Sequence, residues 1–296
     1  MTSRILDISD EPAHLSVRYD QLVIRRGEND TTTMPLSEVA VVVVSHPQTS
    51  YTHAVLAGLA RSMAGLVVCD EKRLPAAMLQ PLLGHSIQTE RLALQVALSE
   101  PRRKRLWQQI AQAKVLAQGR LLKDLRQDDR GLLALAKRVA SGDAGNVEAQ
   151  ASRRYWPALF ADPAFRRERA AEDQNRLLNY GYAVLRAMAA RAVCAAGLHP
   201  SLGLHHHNRY DPFCLADDLM EPFRPKVDRA VVGIVNERGR EVPLDKETKA
   251  ALLAPLTERL ELAGEERTLM DVLHRAAASL AQAMAGRNQK LNLPEL

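Results

Sequence analysis

Cysteine is rare in this chain: Cys69, Cys194 and Cys214 are scattered and form no CxxC pair. Such usage argues against a disulfide framework and for a reducing, cytoplasmic setting. Aromatic residues make up only 4% of the 296 residues. Alanine and leucine dominate instead, which favours helices. Long apolar runs are missing as well. The longest strongly apolar stretch, Val39 to Val44, is strand-sized. It falls far short of the roughly 20 residues a membrane-spanning helix needs, so no membrane role is expected. Met1-Thr2-Ser3-Arg4 leads into no signal-peptide core. No serine sits in a GxSxG elbow, and neither a P-loop nor a Rossmann glycine fingerprint occurs. Serine-triad and nucleotide-loop chemistry therefore lack support.

What is present reads as a folded chain, 46% apolar and 25% charged, long enough for one large domain or two ordinary ones. The net charge of +5 is unevenly spread. Residues 1–90 hold 7 Lys or Arg against 10 Asp or Glu, and the other 206 hold 33 against 25. Basic clusters stand at Arg102-Arg103-Lys104-Arg105, Arg153-Arg154 and Arg166-Arg167-Glu168-Arg169. A basic second part suits a polyanion partner, although solvated helix faces carry such clusters too.

The first part reads as β. His14–Arg18 and Gln21–Arg25 flank Tyr19-Asp20 as in a hairpin, with His14 read as an ordinary strand residue. Thr33 to Leu36 reads as a short strand, and Glu38 to Val44 as a buried one. A helical stretch from Thr52 to Ala64 precedes another strand, Gly65 to Asp70, suggesting a crossover on one sheet. Leu74 to Gly84 reads as a linker or final strand. From about Gln88 the pattern turns helical: Gln88 to Ala117, Gly131 to Ala140, Asn146 to Phe160 and Glu168 to Ala196. Val231 to Val242, with Arg238-Gly239 inside, reads as a small hairpin, and helices resume near Lys246 and Leu269. The expected fold is α+β: a small N-terminal β domain over residues 1–86, then a larger all-α domain over 87–296.

The chemistry concentrates in Gly203 to Pro225, which packs three histidines, four acids and two arginines into one segment. Carboxylates suit hard divalent cations, and imidazole adds a ligand that also suits manganese. Asp218 and Glu221 are three apart, on one face of a helix that Pro222 and Pro225 limit. Asp218 can orient a ligand, and Asp217 can cap or pair with a base. His205, His206 and His207 are adjacent and cannot all face one point. A further carboxylate, Glu148, opens a helix after the turn Gly142-Asp143-Ala144-Gly145. With His206 and Glu221 it would complete a carboxylate–imidazole–carboxylate set with positions open for water and a phosphate oxygen. Asn175 to Tyr182, including Asn179 and Tyr180, is either a packed helix or a wall of the site.

His206 to Pro225 resembles the signature of the CRISPR adaptation integrases, the Cas1 family, in the form found in type II systems. Asn175 to Tyr182, Glu148 with Tyr155-Trp156, and N-terminal pieces around Pro47–His53, Cys69–Lys72 and Gly84–Arg91 agree with it in order. The resemblance implies metal ligands at Glu148, His206 and Glu221. His206 is singled out because it stands fifteen residues before Glu221. It implies support from Asp218, with Asn179 and Tyr180 nearby, and Mg²⁺ or Mn²⁺ as the cofactor. The implied activity is metal-dependent joining of the 3′-hydroxyl ends of short duplex DNA to the leader-proximal repeat of a CRISPR array. A homodimer through the β domains and a Cas2 dimer are the implied partners. Arg153, Arg154, Arg166 and Arg167 are candidate DNA contacts. A non-catalytic DNA-binding scaffold and a metal-dependent phosphoesterase for small substrates are the competing readings.

Overall fold

The computed structural model describes residues 4–71, 75–79, 81, 84–168, 170–262 and 264–294. Of the residues named above, Met1, Thr2, Ser3, Lys72, Leu74 and Arg169 lie outside them.

Strands β1 (Arg4–Ile8), β2 (His14–Arg18), β3 (Gln21–Arg26), β4 (Asp30–Pro35), β5 (Val39–Val44) and β6 (Ser50–Tyr51) precede helix α1 (His53–Arg61); β7 (Gly65–Cys69) and β8 (Pro75–Leu79) follow it. They form two four-stranded sheets, ordered β1-β5-β7-β8 and β4-β3-β2-β6. Tyr19 and Asp20 join β2 to β3, both with positive φ, 51° and 56°. A two-residue type I′ turn requires that backbone, so the hairpin register follows from the loop length. Strand β5 pairs in parallel with both β1 and β7, and α1 makes the connection from β5 to β7.

All six residues of β5 are buried. Val39, Val42 and Val44 pack with Leu15, Leu22 and Ile24 of the second sheet and with Leu59 of α1. Ala40, Val41 and Val43 join the core of the helical part. A strand covered on both faces has no polar side to show, which explains the unbroken valine run.

The helical part comprises α2 (Gln88–Val96), α3 (Glu100–Arg126), α4 (Leu132–Ala136), α5 (Val147–Leu159), α6 (Asn175–Ala195), α7 (Cys214–Met220), α8 (Arg224–Arg238), α9 (Lys246–Thr257) and α10 (Leu269–Met284), with a hairpin β9 (Arg259–Leu262) and β10 (Glu265–Thr268) before α10. Helix α6 is central. It packs on β5 and β7 at one side and on α7, α8 and α10 at the other. Its crossing with α8 is close: a Cβ on Gly181 would lie 2.4 Å from Val227 Cγ1. Among the described residues no helix is long and apolar enough to cross a membrane.

Four expectations change. The hairpin placed at Val231–Val242 is instead the second half of α8 and the turn after it. Val227, Val231 and Ile234 are spaced at three and four residues and buried, so packing overrides the β-branched preference. The helical stretch expected from Gln88 to Ala117, interrupted only at Pro101, breaks instead after Val96 and continues to Arg126, with Pro101 in the first turn of α3, where its missing N–H costs nothing. Helix α4 covers only part of Gly131–Ala140. Helix α6 starts at Asn175 rather than Glu168, since Asn175 spends its side chain on the loop before it, bonding to Arg166 O and Arg167.

Candidate metal and nucleic-acid site

Helix α3 sets the floor of the site. Trp107, Ile110, Ala111, Val115, Gln118, Leu121 and Leu122 form its buried stripe at helical spacing, and Lys114 falls within that stripe. The Lys114 side chain is only 13% exposed, and its ammonium lies 2.5 Å from Glu148 Oε1 and 2.6 Å from Glu221 Oε2. Two acids 73 positions apart in the chain thus share one cation. Burial works against the Lys114 charge, but Glu221 and Glu148 outweigh it and leave its pKa above the usual lysine value.

Glu148 is placed by the turn before α5. Asp143, itself buried, accepts from Val147 N at 2.8 Å and from Glu148 N at 3.0 Å, so its carboxylate caps the helix start and fixes the first turn. Glu221 follows α7 directly, at a single 3-10 turn with Pro222, and α8 starts at Arg224. Pro222 and Pro225 end one helix and open the next. Arg224 Nε donates to Glu221 Oε1 at 2.9 Å. Burial alone would push the Glu221 carboxyl up, but Arg224 and Lys114 hold it down at about 2. It stays ionised at any physiological pH.

The histidine loop is wrapped around Asp218. That carboxylate is fully buried and accepts from the backbone N–H groups of Leu204 (2.5 Å), His205 (3.1 Å) and His206 (3.2 Å). It also accepts from His206 Nδ1 at 2.7 Å. A carboxylate oxygen accepting at Nδ1 leaves the lone pair of the neutral ring on Nε2, the tautomer a metal ligand needs. The Asp218 hydrogen bond raises the His206 pKa, and burial only partly opposes it. Gly203 lets the loop close: a Cβ there would meet His206 O at 2.5 Å and Asp218 Oδ2 at 3.0 Å. Trp107 of α3 supports the loop from below, with the His205 ring stacked flat on it (4.3 Å, 4°) and His206 edge-on (5.9 Å, 84°). His207 is exposed.

His206 and Glu221 are near enough for each charge to bias the other's proton equilibrium. Among the described residues no three His, Cys, Asp or Glu side chains converge closely enough to hold a metal ion. At the acids, the Lys114 ammonium stands between Glu148 and Glu221. The donor types still suit a hard divalent ion, since two carboxylates, Glu221 among them held ionised, are drawn to a common positive charge.

A cavity of about 240 Å³ opens beside the acids, lined by Lys114, Ser152, Arg167, Tyr182, Glu221 and Arg224 among others. Arg167 and Arg224 lie over the Tyr182 ring, at 5.5 and 4.4 Å from its centroid. The Tyr182 and Tyr155 hydroxyls both donate to buried Asp228, the latter at 2.6 Å. Of the four arginines named from sequence, Arg153 and Arg154 are exposed on α5 and Arg166 is exposed in the loop before α6. Arg167 turns inward to Asn175 and Asn179, 2.9 and 2.6 Å away. Asn179 therefore holds Arg167, which lines the cavity. Tyr180 points elsewhere: it is buried near Asp7 of β1, with Lys249 Nζ 5.7 Å from its ring. Asp217 pairs with Arg186 at 2.5 Å.

Sequence reasoning passed over Lys114, Arg224, Trp107 and Asp228. Lys114 carried a readable signal, a lone cation within an apolar helical stripe. Arg224 stood three residues after Glu221.

A family model described as "CRISPR associated protein Cas1" matches residues 6–257. The chain is 35% identical to the CRISPR-associated endonuclease Cas1 of Neisseria meningitidis serogroup C (strain 8013), over 95% of this chain and 93% of that one. Among solved structures, a casposase bound to integration product superposes with a TM-score of 0.80 at 19% identity, covering 97% of this chain and 92% of that one. A chain of a Cas6-RT-Cas1–Cas2 complex gives 0.76 at 18% identity, covering 98% of this chain and 36% of that one. At such identities the two structures establish likeness of fold.

Proposed function

This chain belongs to the CRISPR-associated Cas1 family, and from that premise we propose that it is a metal-dependent DNA integrase of CRISPR adaptation. It joins the 3′-hydroxyl ends of short duplex DNA to the leader-proximal repeat by phosphoryl transfer. One observation carries the reading: Glu148 and Glu221, from distant parts of the chain, meet on a single cation beside a histidine whose tautomer Asp218 fixes.

Glu148, Glu221 and His206 Nε2 would hold Mg²⁺ or Mn²⁺, which supplies Lewis-acid polarisation of the target phosphate. The other residues prepare that position. Asp218 fixes the His206 ring through Nδ1, and Arg224 keeps Glu221 ionised and in place. Arg167 and Arg224 bring positive charge to the cavity where a phosphate would sit. The attacking hydroxyl belongs to the incoming DNA, so the protein supplies no nucleophile. Arg153, Arg154 and Arg166 would neutralise duplex phosphates farther out, giving binding that weakens with salt.

The division at residues 86/87 belongs to the same proposal, with the β part forming a homodimer in the cytoplasm. The likeness to a chain of a Cas1–Cas2 complex supports Cas2 as partner.

Strand transfer into a supercoiled plasmid bearing a repeat, with Mn²⁺ or with EDTA, tests the reading. Glu148→Ala, His206→Ala and Glu221→Ala are each expected to abolish product while duplex binding persists. Normal product from any of the three overturns the site assignment. Absence of any metal-dependent product from the wild type favours the scaffold, and turnover of a nucleotide ester without DNA favours the small-substrate phosphoesterase.

A further inference from the structure

We propose that Lys114 is a built-in counter-cation of this site. In the metal-free protein it occupies the position between Glu148 and Glu221, and it yields that position to the divalent ion in exchange for a DNA phosphate. Metal and DNA then bind cooperatively because they share one lysine. The inference rests on the metal reading above.

Three observations carry it. First, the ammonium bridges the two acids, at 2.5 and 2.6 Å, as a shared ion would. Second, lysine is the residue suited to such an exchange. Its point charge sits on a flexible four-carbon stem, whereas the planar Arg224 fork is committed to Glu221 and the Tyr182 face. Third, the charges balance only one way at a time. Glu148 and Glu221 offset Lys114 and Arg224, so the four groups are neutral together. A divalent ion entering beside an unmoved Lys114 leaves a buried excess of two positive charges, which is costly. Lys114 therefore has to withdraw, and the space open to it is the adjoining cavity. Arg167 and Arg224 already line that cavity; of its two carboxylates, Glu221 is then taken by the metal and Asp228 is held by the Tyr155 and Tyr182 hydroxyls. A third cation is unwelcome there unless an anion comes with it. A phosphodiester oxygen in the cavity supplies that anion. By linkage, whatever DNA does for the metal, the metal does equally for DNA.

The test is Mn²⁺ binding to the full-length protein, read from the free-ion electron paramagnetic resonance signal, with and without a short DNA duplex. Binding at other groups is measured with Glu221→Gln and subtracted. Without DNA, Lys114→Met is expected to bind Mn²⁺ about tenfold more tightly than wild type, since it removes the competing cation. Duplex is expected to tighten Mn²⁺ binding about tenfold in wild type and far less in Lys114→Met. Lys114→Gln serves if the methionine variant fails to fold. Equal or weaker metal binding by the variant overturns the proposal. So does a wild-type affinity indifferent to duplex, a result that requires no variant. If neither wild type nor variant holds Mn²⁺ above the Glu221→Gln background, the metal reading itself falls, a distinct outcome.

Discussion

Asp218→Asn is the most informative single change outside the acids that face the cation. The substitution keeps shape and volume, so packing is conserved and only hydrogen bonding changes. Asp218 accepts four hydrogen bonds: Leu204 N and His205 N at Oδ2, and His206 N and Nδ1 at Oδ1. An asparagine has one acceptor oxygen and one donor amide. It can keep two of the four bonds and must present N–H groups to the other two donors. Each buried donor left without a partner costs about 1–3 kcal/mol, so the loss is on the order of 2–6 kcal/mol. Nothing solvates the losers, because Asp218 is fully buried. Urea unfolding at fixed pH, with Asp218→Asn against wild type, measures that loss. Nitrogen shifts of ¹⁵N-labelled histidine report the other half. The His206 ring loses its fixed Nδ1 donor, and its pKa, raised chiefly by the Asp218 hydrogen bond, falls. A variant with wild-type stability and unchanged His206 ring shifts would refute the claim that this carboxylate organises the loop.

Two further outcomes follow from the same geometry. Gly203→Ala is expected to push His206 off its position, because the new Cβ meets His206 O and Asp218 Oδ2. The ¹⁵N ring shifts of His206 should move even if overall stability changes by little. Asp228, buried under two tyrosine hydroxyls, is pushed up to about 6 by desolvation. A raised folded-state pKa means that its contribution to stability is full below the ordinary carboxylate value and is lost as pH rises through about 6. That loss is on the order of 3 kcal/mol between pH 4 and pH 7. Asp228→Asn should flatten this slope in urea unfolding across the window, and an unchanged slope would assign it to other groups.

Much of the fold could be read from residue patterns, and the exceptions have physical causes. The valine run of β5, the Tyr19-Asp20 turn and the β5-α1-β7 crossover follow from local sequence. Helix α8 did not, because its valines prefer strands and only the burial of one face against α6 and α9 makes them helical. At the candidate site, the histidine loop and the acids of α7 stand out by residue type, whereas Glu148 stands out only as a carboxylate that would complete a set with His206 and Glu221. Lys114 escaped notice because a helix lysine is ordinarily solvated, and only the path of α3 beneath Glu148 and Glu221 gives this one its partners. Tyr180 and Arg167 show the limit of spacing arguments. Neighbours on one helix face different layers, and Tyr180 turns toward β1 while Asn179 turns toward Arg167.

The central claim is that Glu148, His206 and Glu221 close on one divalent ion. Anomalous diffraction from crystals grown with Mn²⁺ and a short duplex tests it most directly. The account predicts a single strong peak ligated by both carboxylates and by His206 Nε2, with the Lys114 ammonium withdrawn. A peak held elsewhere, or none, with Lys114 still bridging the two acids, would contradict it.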